Sequence, residues 1–394
     1  MARLVQKFGG TSVATLERIK NVAEIVAENQ TKHKDIVVVV SAMAGVTNKF
    51  VDCVNSLGAD EGHPEYDTVL SSGELVTAGL TAIALEKVGI KSRSYASWQV
   101  PIFTNNNYGH AVIQNVDPSN INKDLENGIV PVVCGFQGVS QEEKKITTLG
   151  RGGSDLTAVA VASAIEANLC EIYSDVDGVY TVDPNLYTGA RRIDEICYSE
   201  MLEMASQGAK VLQEQSVLYA MEKKVVVRVA SSFIKAPGTI ISPTAPQKRF
   251  CGMAVTPALS QIQISFKDGT QKYDNVIQNL LTKHFIQCDF VENRGKVNVM
   301  LDKRHASIAL SLIRDSNCIS DARYKFSRKP LSKISVVGAD LNTNVGQNFI
   351  AELKKHKIDS FVGTVTLHKI NLIIATEQLL DAISVLHKYC GLDK

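Results

Sequence analysis

The stretch ARLVQKFGGTSVATLERIKNVAEIVAEN, residues 2–29, decides the fold. ARLVQKF reads as a strand that runs into a glycine pair. TLERIKNVAEIVAEN then sets Leu16, Ile19, Val22, Ala23 and Val26 on one stripe of a helix. The same strand–loop–helix pattern recurs downstream. DIVVVV (35–40) is an apolar strand of the kind buried on both faces, with another helix after Gly45. SSGELVTAGLTAIALEKVG (71–89) is a helix with a glycine stop, and KSRSYAS (91–97) and GIVPVVCGF (128–136) are strands. After ITTL (146–149) come the helix DLTAVAVASAIEAN (155–168) and the strand CEIYSD (170–175). Such alternation predicts an α/β domain over residues 1–245, a mainly parallel sheet between helices.

A chain of 394 residues exceeds one typical core and predicts two or three domains of ~100 to 200 residues each. Its 42 basic and 41 acidic residues leave a net charge of +1, which gives no electrostatic ground for nucleic acid or an anionic membrane. Any anion site must therefore be local. MARLVQKFGG lacks the apolar core of a secretory signal, and no apolar run approaches the ~20 residues of a membrane span, so a soluble, cytoplasmic protein is expected. Cys53, Cys134, Cys170, Cys197, Cys251, Cys288, Cys318 and Cys390 are scattered without a CxxC pair, and they read as reduced thiols with no metal site.

Pro237, Pro243 and Pro246 mark a linker, and residues 246–394 form a second region. Two similar patterns follow, at about 262–328 and about 331–394. Each reads strand, helix, strand, strand, helix, the internal repeat of two ferredoxin-like α+β modules.

Three strands end in small-residue loops that open helices: KFGGTSV (7–13), SAMAGVTN (41–48) and GRGGSDLTA (150–158). A helix N-terminus presents unpaired N–H groups, and glycine lets a ligand approach them, so three such cradles point to a polyanion such as phosphate. There is no G-x-x-x-x-G-K-[ST], and Asp155 stands where a dinucleotide fingerprint needs its third glycine. Lys7, Arg151 and the glycine amides remain as anion ligands. Lys7 is either a solvated strand-end lysine or a group that neutralises charge on a transferring phosphoryl. Arg151, between glycines, has the planar fork that binds a carboxylate. Asp155 fits a helix cap or first-turn acid, and Ser71 with Glu74 matches the S-x-x-E capping box. Asp175 and Asp177, in a glycine-containing loop, read as turn chemistry before metal ligands.

KFGGTSV, VVVVSAMAGVTN, SSGELVTAGL, GFQGV, TTLGRGGSDLTAVAVA, YSDVDGVYTVDP and ASQGAKVLQEQSVLYA resemble, in the same order, the signature segments of the aspartokinases. These are the amino acid kinase family members that phosphorylate aspartate. The resemblance covers roughly residues 1–245 and continues more weakly to the end. It implies the amino acid kinase fold followed by two ACT modules, the amino-acid-sensing units of that family, with a strand near 250–256 lent to the second module.

It further implies roles for individual residues. Lys7, with the amides of Gly9 and Gly10, would stabilise the transferring γ-phosphoryl. Ser41 and Thr47 would line the substrate and phosphate site. Glu74 would meet the substrate's ammonium, and Arg151, with Gly152 and Ser154, its α-carboxylate. Asp155 would be the catalytic aspartate. Ser174, Asp175, Tyr180 and Lys210 would contact the nucleotide. The implied reaction turns L-aspartate and ATP, with Mg2+ held mainly by the phosphates, into 4-phospho-L-aspartate, the first step toward lysine, threonine, methionine and diaminopimelate.

Two departures stand out. Asn185 follows the "DP" of the nucleotide loop where the family has arginine, and Arg191 or Arg192 is expected to supply that charge. FKDGTQKYDN replaces the usual D-x-P-G turn of the first ACT module, which leaves lysine or threonine as an effector open. The length holds no fused dehydrogenase, so a monofunctional chain is expected, forming a homodimer or higher homo-oligomer through its ACT modules. The alternatives are an amino acid kinase with another acceptor and an inactive ACT-based regulatory subunit.

Overall fold

The computed structural model describes residues 3–209, 211–265, 274–284, 286–293, 296–316 and 323–393. Lys210, Cys318 and residues 266–273 of the replaced turn lie outside them. Two compact units result. One comprises Met1–Val179, Arg192–Leu202 and Lys210–Pro246, and the other Tyr180–Arg191, Glu203–Ala209 and Gln247–Lys394.

The first unit begins with β1 (Arg3–Phe8), α1 (Leu16–Gln30), β2 (Asp35–Val40), α2 (Val46–Ser56), α3 (Pro64–Lys87) and β3 (Ser92–Tyr95). Then come β4 (Ile102–Thr104), β5 (Ile113–Val116), α4 (Ser119–Glu126), β6 (Val130–Cys134), β7 (Gln137–Ser140) and β8 (Ile146–Thr148). α5 (Gly153–Ala164), β9 (Leu169–Ser174), β10 (Glu195–Ile196), α6 (Tyr198–Ser206), α7 (Glu214–Lys223), β11 (Val227–Ser231) and β12 (Thr239–Ile241) complete the series.

The main sheet has the order β10-β12-β11-β9-β1-β2-β6-β3 and is parallel except where β12 turns back on β11. A smaller sheet runs β5-β4-β7-β8. Residues Ile36 to Val40 of β2 are all fully buried, and each contributes roughly 1.5–3 kcal/mol of apolar burial, which fixes β2 in the centre. Ile19, Val22, Ala23 and Val26 of α1 and Ala78 and Leu85 of α3 share a core with Leu4, Phe8, Ile36, Val38 and Val40. Leu16 leaves the predicted stripe: it is the first helical residue, ahead of the turn that meets the core, and is 56% exposed.

β1 alternates, so Leu4 and Phe8 face the α1 and α3 side while Lys7 is paired with Asp155 of α5. α3 is long and apolar enough to cross a membrane. Its buried residues, however, include Asp67 and Glu74, both hydrogen-bonded to loops of the same unit, as befits a core helix.

The second unit is built on β13 (Gly252–Ser265), α8 (Asp274–Lys283), β14 (Cys288–Asn293), β15 (Lys296–Asp302), α9 (Ala306–Asp315) and β16 (Arg323–Val337). It ends with α10 (Thr343–Lys355), β17 (Ser360–Val365), β18 (Lys369–Ala375) and α11 (Leu379–Tyr389). One antiparallel sheet of order β14-β15-β13-β16-β18-β17 carries a βαββαβ run from β13 to β16 and a βαββα run from β16 to α11, to which the first half of β13 adds a strand. Both long strands serve twice. Ile262 and Ile264 of β13 join one core with Tyr324 of β16, while Met253 and Val255 join another with Ile334 and Val336. The halves meet at Pro257 and Pro330, which lack the ladder N–H, and the pairing slips register there. Edge strands β14 and β17 come together, with the Thr364 N–H donating to Asp289 at 3.1 Å.

Candidate active site

The first unit places its small-residue loops at the carboxyl ends of β1 and β2 and ahead of α5. The carboxyl ends of the strands are where open α/β sheets bind ligands. Between the loops lies a cleft of about 840 Å³ whose lining includes Lys7, Ser41, Thr47, Glu74, Arg151 and Asp155. Gly10, Gly152 and Ser154 line it as well.

Lys7 is the penultimate residue of β1, and its Nζ lies 2.5 Å from Asp155 Oδ1. Asp155 stands in the first turn of α5, so its charge also faces the helix N-terminus. That helix opens at Gly152, whose φ of +73° is a left-handed conformation glycine adopts freely, and the Gln213 side chain fills the space a Cβ would need. The turn leaves Arg151 exposed at the mouth of the cleft, and among the described residues it has no ion pair. Ser154 is buried beside it.

Glu74 overturns the capping-box expectation. α3 starts at Pro64 with His63 as its cap, so Ser71 lies two turns in and bonds back to Thr68 O at 3.0 Å. The Glu74 side chain instead accepts from Ala42 N–H at 2.9 Å, in the loop after β2. The residue is 3% exposed and its Oε2 has no partner. Burial pushes its carboxyl up to about 8 against the pull of the Ala42 amide. A buried acid with one open oxygen facing a cleft is built to receive a cation.

Gly9 corrects a second expectation, because its N–H is already given to Tyr173 O at 3.2 Å. It extends the sheet rather than offering an amide to an anion. Gly10 lines the cleft and accepts from Ala44 N–H at 3.2 Å, which ties the first two loops together. Ser41 continues β2 by donating its N–H to Phe8 O at 3.1 Å. Thr47 is the second residue of α2, behind Gly45.

The nucleotide residues are dispersed. Ser174 ends β9 and its hydroxyl donates to the exposed Asp175 at 2.9 Å. Tyr180 opens the segment grouped with the second unit, and Lys210 is outside the described residues. Asn185 is exposed, its N–H held by Asp183 at 2.9 Å. Arg192 lies 3.6 Å from Asp177 and 3.4 Å from Asp194, so its charge is already used. Arg191 is exposed and has no ion pair among the described residues.

One cleft residue and one buried behind the lining escape a reading of the sequence. Phe136 lines the cleft with φ of 68°, rare for an aromatic residue, and is held by its N–H to Thr157 at 3.1 Å and its carbonyl to Leu149 N–H at 2.9 Å. Asp67 is buried seven residues before Glu74; that two-turn spacing on one helix face was the available signal.

Known proteins provide a frame for this arrangement. A model of the amino acid kinase family matches residues 2–231. An aspartate kinase of Stutzerimonas stutzeri is 37% identical over a 405-residue alignment that spans 100% of this chain and 98% of that protein. An aspartokinase of Pseudomonas aeruginosa is 36% identical, with the same 100% and 98% coverage. The crystal structure of E. coli aspartokinase III in complex with aspartate and ADP superposes with a TM-score of 0.79 at 24% identity, covering 98% of this chain and 99% of that one.

Proposed function

The chain belongs to the amino acid kinase family and, within it, to the aspartokinases, and from that premise we propose how its residues share the phosphorylation of L-aspartate by ATP. A side-chain carboxylate oxygen of aspartate attacks the γ-phosphorus. The bond to the β,γ-bridging oxygen breaks, and its electron pair leaves with ADP. The products are 4-phospho-L-aspartate and ADP. Because the attacking carboxylate is ionised at neutral pH, no general base is needed, and positioning and charge neutralisation supply the rate.

Arg151 clamps the α-carboxylate with its fork, beside Gly152 and Ser154. Glu74 takes the α-ammonium on its open Oε2 and gives up its proton as it does so. Ser41 and Thr47 line the space between substrate and phosphate. Lys7 turns from Asp155 toward the transferring phosphoryl, and Asp155 keeps the lysine charged and aimed. Ser174, Asp175, Tyr180 and Lys210 serve the nucleotide.

Mg2+ fits as a passenger of ATP. Among the described residues no cluster of three acidic, histidine or cysteine side chains would hold a metal ion unaided, and Mg2+ is commonly carried by phosphate oxygens with few protein ligands. When bound it supplies further neutralisation of phosphate charge.

The observation that carries this reading is the Lys7–Asp155 pair in one cleft with Glu74 and Arg151. We propose further that the two modules of the second unit bind an amino acid effector, lysine or threonine, and that the protein works as a cytoplasmic homo-oligomer. Aspartate-dependent ADP release, measured with and without lysine and threonine, is the test, with hydroxylamine trapping the acyl phosphate. Release that requires aspartate is expected. Turnover with glutamate but not aspartate, or none with either, overturns the reading.

A further inference from the structure

We propose that Asp67 is a positioning residue that sets the separation between Glu74 and the loop bearing Arg151. The proposal rests on those two residues being the ammonium and carboxylate ligands of aspartate.

Asp67 is 0% exposed, a state a carboxylate occupies only when well bonded. Its Oδ1 accepts from the Thr148 hydroxyl at 2.8 Å, and its Oδ2 from Thr148 N–H at 2.7 Å. Gly109 N–H reaches both oxygens at 3.0 Å. Burial raises the carboxyl's pKa, while these donors and the neighbouring His110 pull it down.

Three cleft elements meet on this one side chain. Asp67 and Glu74 are seven residues apart on α3, two turns along the same face. Thr148 ends β8 three residues before Arg151. Gly109 and His110 back the intervening turn: a Cβ on Gly150 (φ +73°) would meet His110 Nδ1 at 2.9 Å and Gly109 O at 3.2 Å. Ala111 N–H closes the circuit on Thr148 O at 2.9 Å.

An α-amino acid fixes its ammonium and carboxylate on one carbon, so a site gripping both must hold its two ligands at one spacing. A loop displaced by ~1 Å costs up to ~100-fold. The Ser174 and Asp175 side chains bond to each other and not to this network, so aspartate binding rather than ATP binding should register its loss.

The test uses Asp67→Asn, which turns an acceptor into a donor facing N–H groups, and the milder Thr148→Val, which deletes the hydroxyl alone. Asp67→Asn should raise the aspartate KM ~10- to 100-fold, and Thr148→Val ~3- to 10-fold, with the ATP KM within ~2-fold of wild type. In an Arg151→Ala background, Thr148→Val should add less than ~2-fold, because its effect runs through that arginine. Equal shifts in both Michaelis constants, an unchanged aspartate KM, or full additivity on Arg151→Ala overturns the proposal. If Asp67→Asn does not fold, Thr148→Val decides by the same criteria. Arg151→Ala and Glu74→Gln alone separate the two readings. If neither raises the aspartate KM, the assignment of the aspartate ligands fails; if both do and Asp67→Asn and Thr148→Val do not, only the positioning role fails.

Discussion

Each unit contains a lysine–aspartate pair withdrawn from water, and their surroundings separate them. Lys7 and Asp155 are 2.5 Å apart with side chains 10% and 10% exposed, whereas Lys333 and Asp289 are 3.4 Å apart and 11% and 3% exposed. The second pair is saturated. Asp289 also accepts from Thr364 N–H at 3.1 Å and Asn371 at 2.6 Å, and Lys333 donates to Gln207 at 3.0 Å. Around Lys7 and Asp155 no further side-chain hydrogen bond is formed among the described residues, and both line the cleft. A lysine has three donors. Lys333 spends two donors, on Asp289 and Gln207; Lys7 spends one and keeps two for a ligand. Burial therefore does not distinguish a structural pair from a catalytic one, but unspent hydrogen-bonding capacity does.

The sharpest way to break that contrast is to remove each lysine. Lys7→Met should lower kcat by ~1000-fold, the scale of a lost transition-state cation, and should also lower the melting temperature because Asp155 is left with only the α5 N-terminus. Lys333→Met should leave kcat intact. It strands Asp289 without its cation, which costs about 3–5 kcal/mol of stability while the folded fraction keeps its turnover. Paired kcat and thermal-melting measurements on both variants check this, and exchanged phenotypes would refute it.

The saturated pair also has a pH signature. Burial pushes the Asp289 carboxyl up, but Lys333, Asn371 and Thr364 together bring it below its usual value. A depressed carboxylate contributes stability that is full above the unfolded pKa, about 3.9, and is lost as pH falls through the folded value. Wild-type stability should thus drop below about pH 4 more steeply than that of Lys333→Met, in denaturant titrations across pH 2–6.

Glu74 yields the next effect in size. Its carboxyl sits at about 8 in the free protein, yet it must be ionised to hold an ammonium. Aspartate binding then releases a proton. The aspartate KM should fall as pH rises from 6 toward 8, by up to ~10-fold per unit, and level off above. Glu74→Gln should raise the KM at pH 8 by roughly 30-fold and flatten this slope. A slope that survives the substitution would place the proton elsewhere.

Glu74 also marks where sequence and structure part. The α/β alternation was legible because each strand–glycine–helix step is local, and β2 announces a central strand through five successive apolar residues. Lys7, Arg151 and Asp155 were legible as anion chemistry on the same local grounds. The S-x-x-E string misled because a capping box is local too, and only the earlier Pro64, a first-turn signal, showed that the helix had already begun. Glu74 to Ala42, Asp67 to Gly109 and Lys7 to Asp155 are separated by 32, 42 and 148 positions (155 − 7), so no spacing within one element reports them. The strand near 250–256 lent to the second module was implied by the resemblance, but its continuity with the next strand was not: a register slip carries β13 past Pro257, and β16 past Pro330, where the ladder N–H is missing.

The smallest expected effect concerns Asn185, the departure within the nucleotide loop. Arg192 is already engaged by Asp177 at 3.6 Å and Asp194 at 3.4 Å, so it is a poor source of charge for ATP. Arg191 is anchored only through its backbone, N–H to Thr181 Oγ1 at 3.0 Å, and its guanidinium is uncommitted among the described residues. An exposed cation meeting phosphate in water contributes about 0.5–1 kcal/mol, so Arg191→Ala should raise the ATP KM ~2- to 5-fold and leave the aspartate KM alone. Arg192→Ala should act on melting temperature more than on ATP. Because the Arg191 contribution is screened, it should fade as ionic strength approaches 1 M, where the Debye length shrinks to about 3 Å. A rise in ATP KM that persists in high salt would show that Arg191 acts through packing of the loop and not through charge.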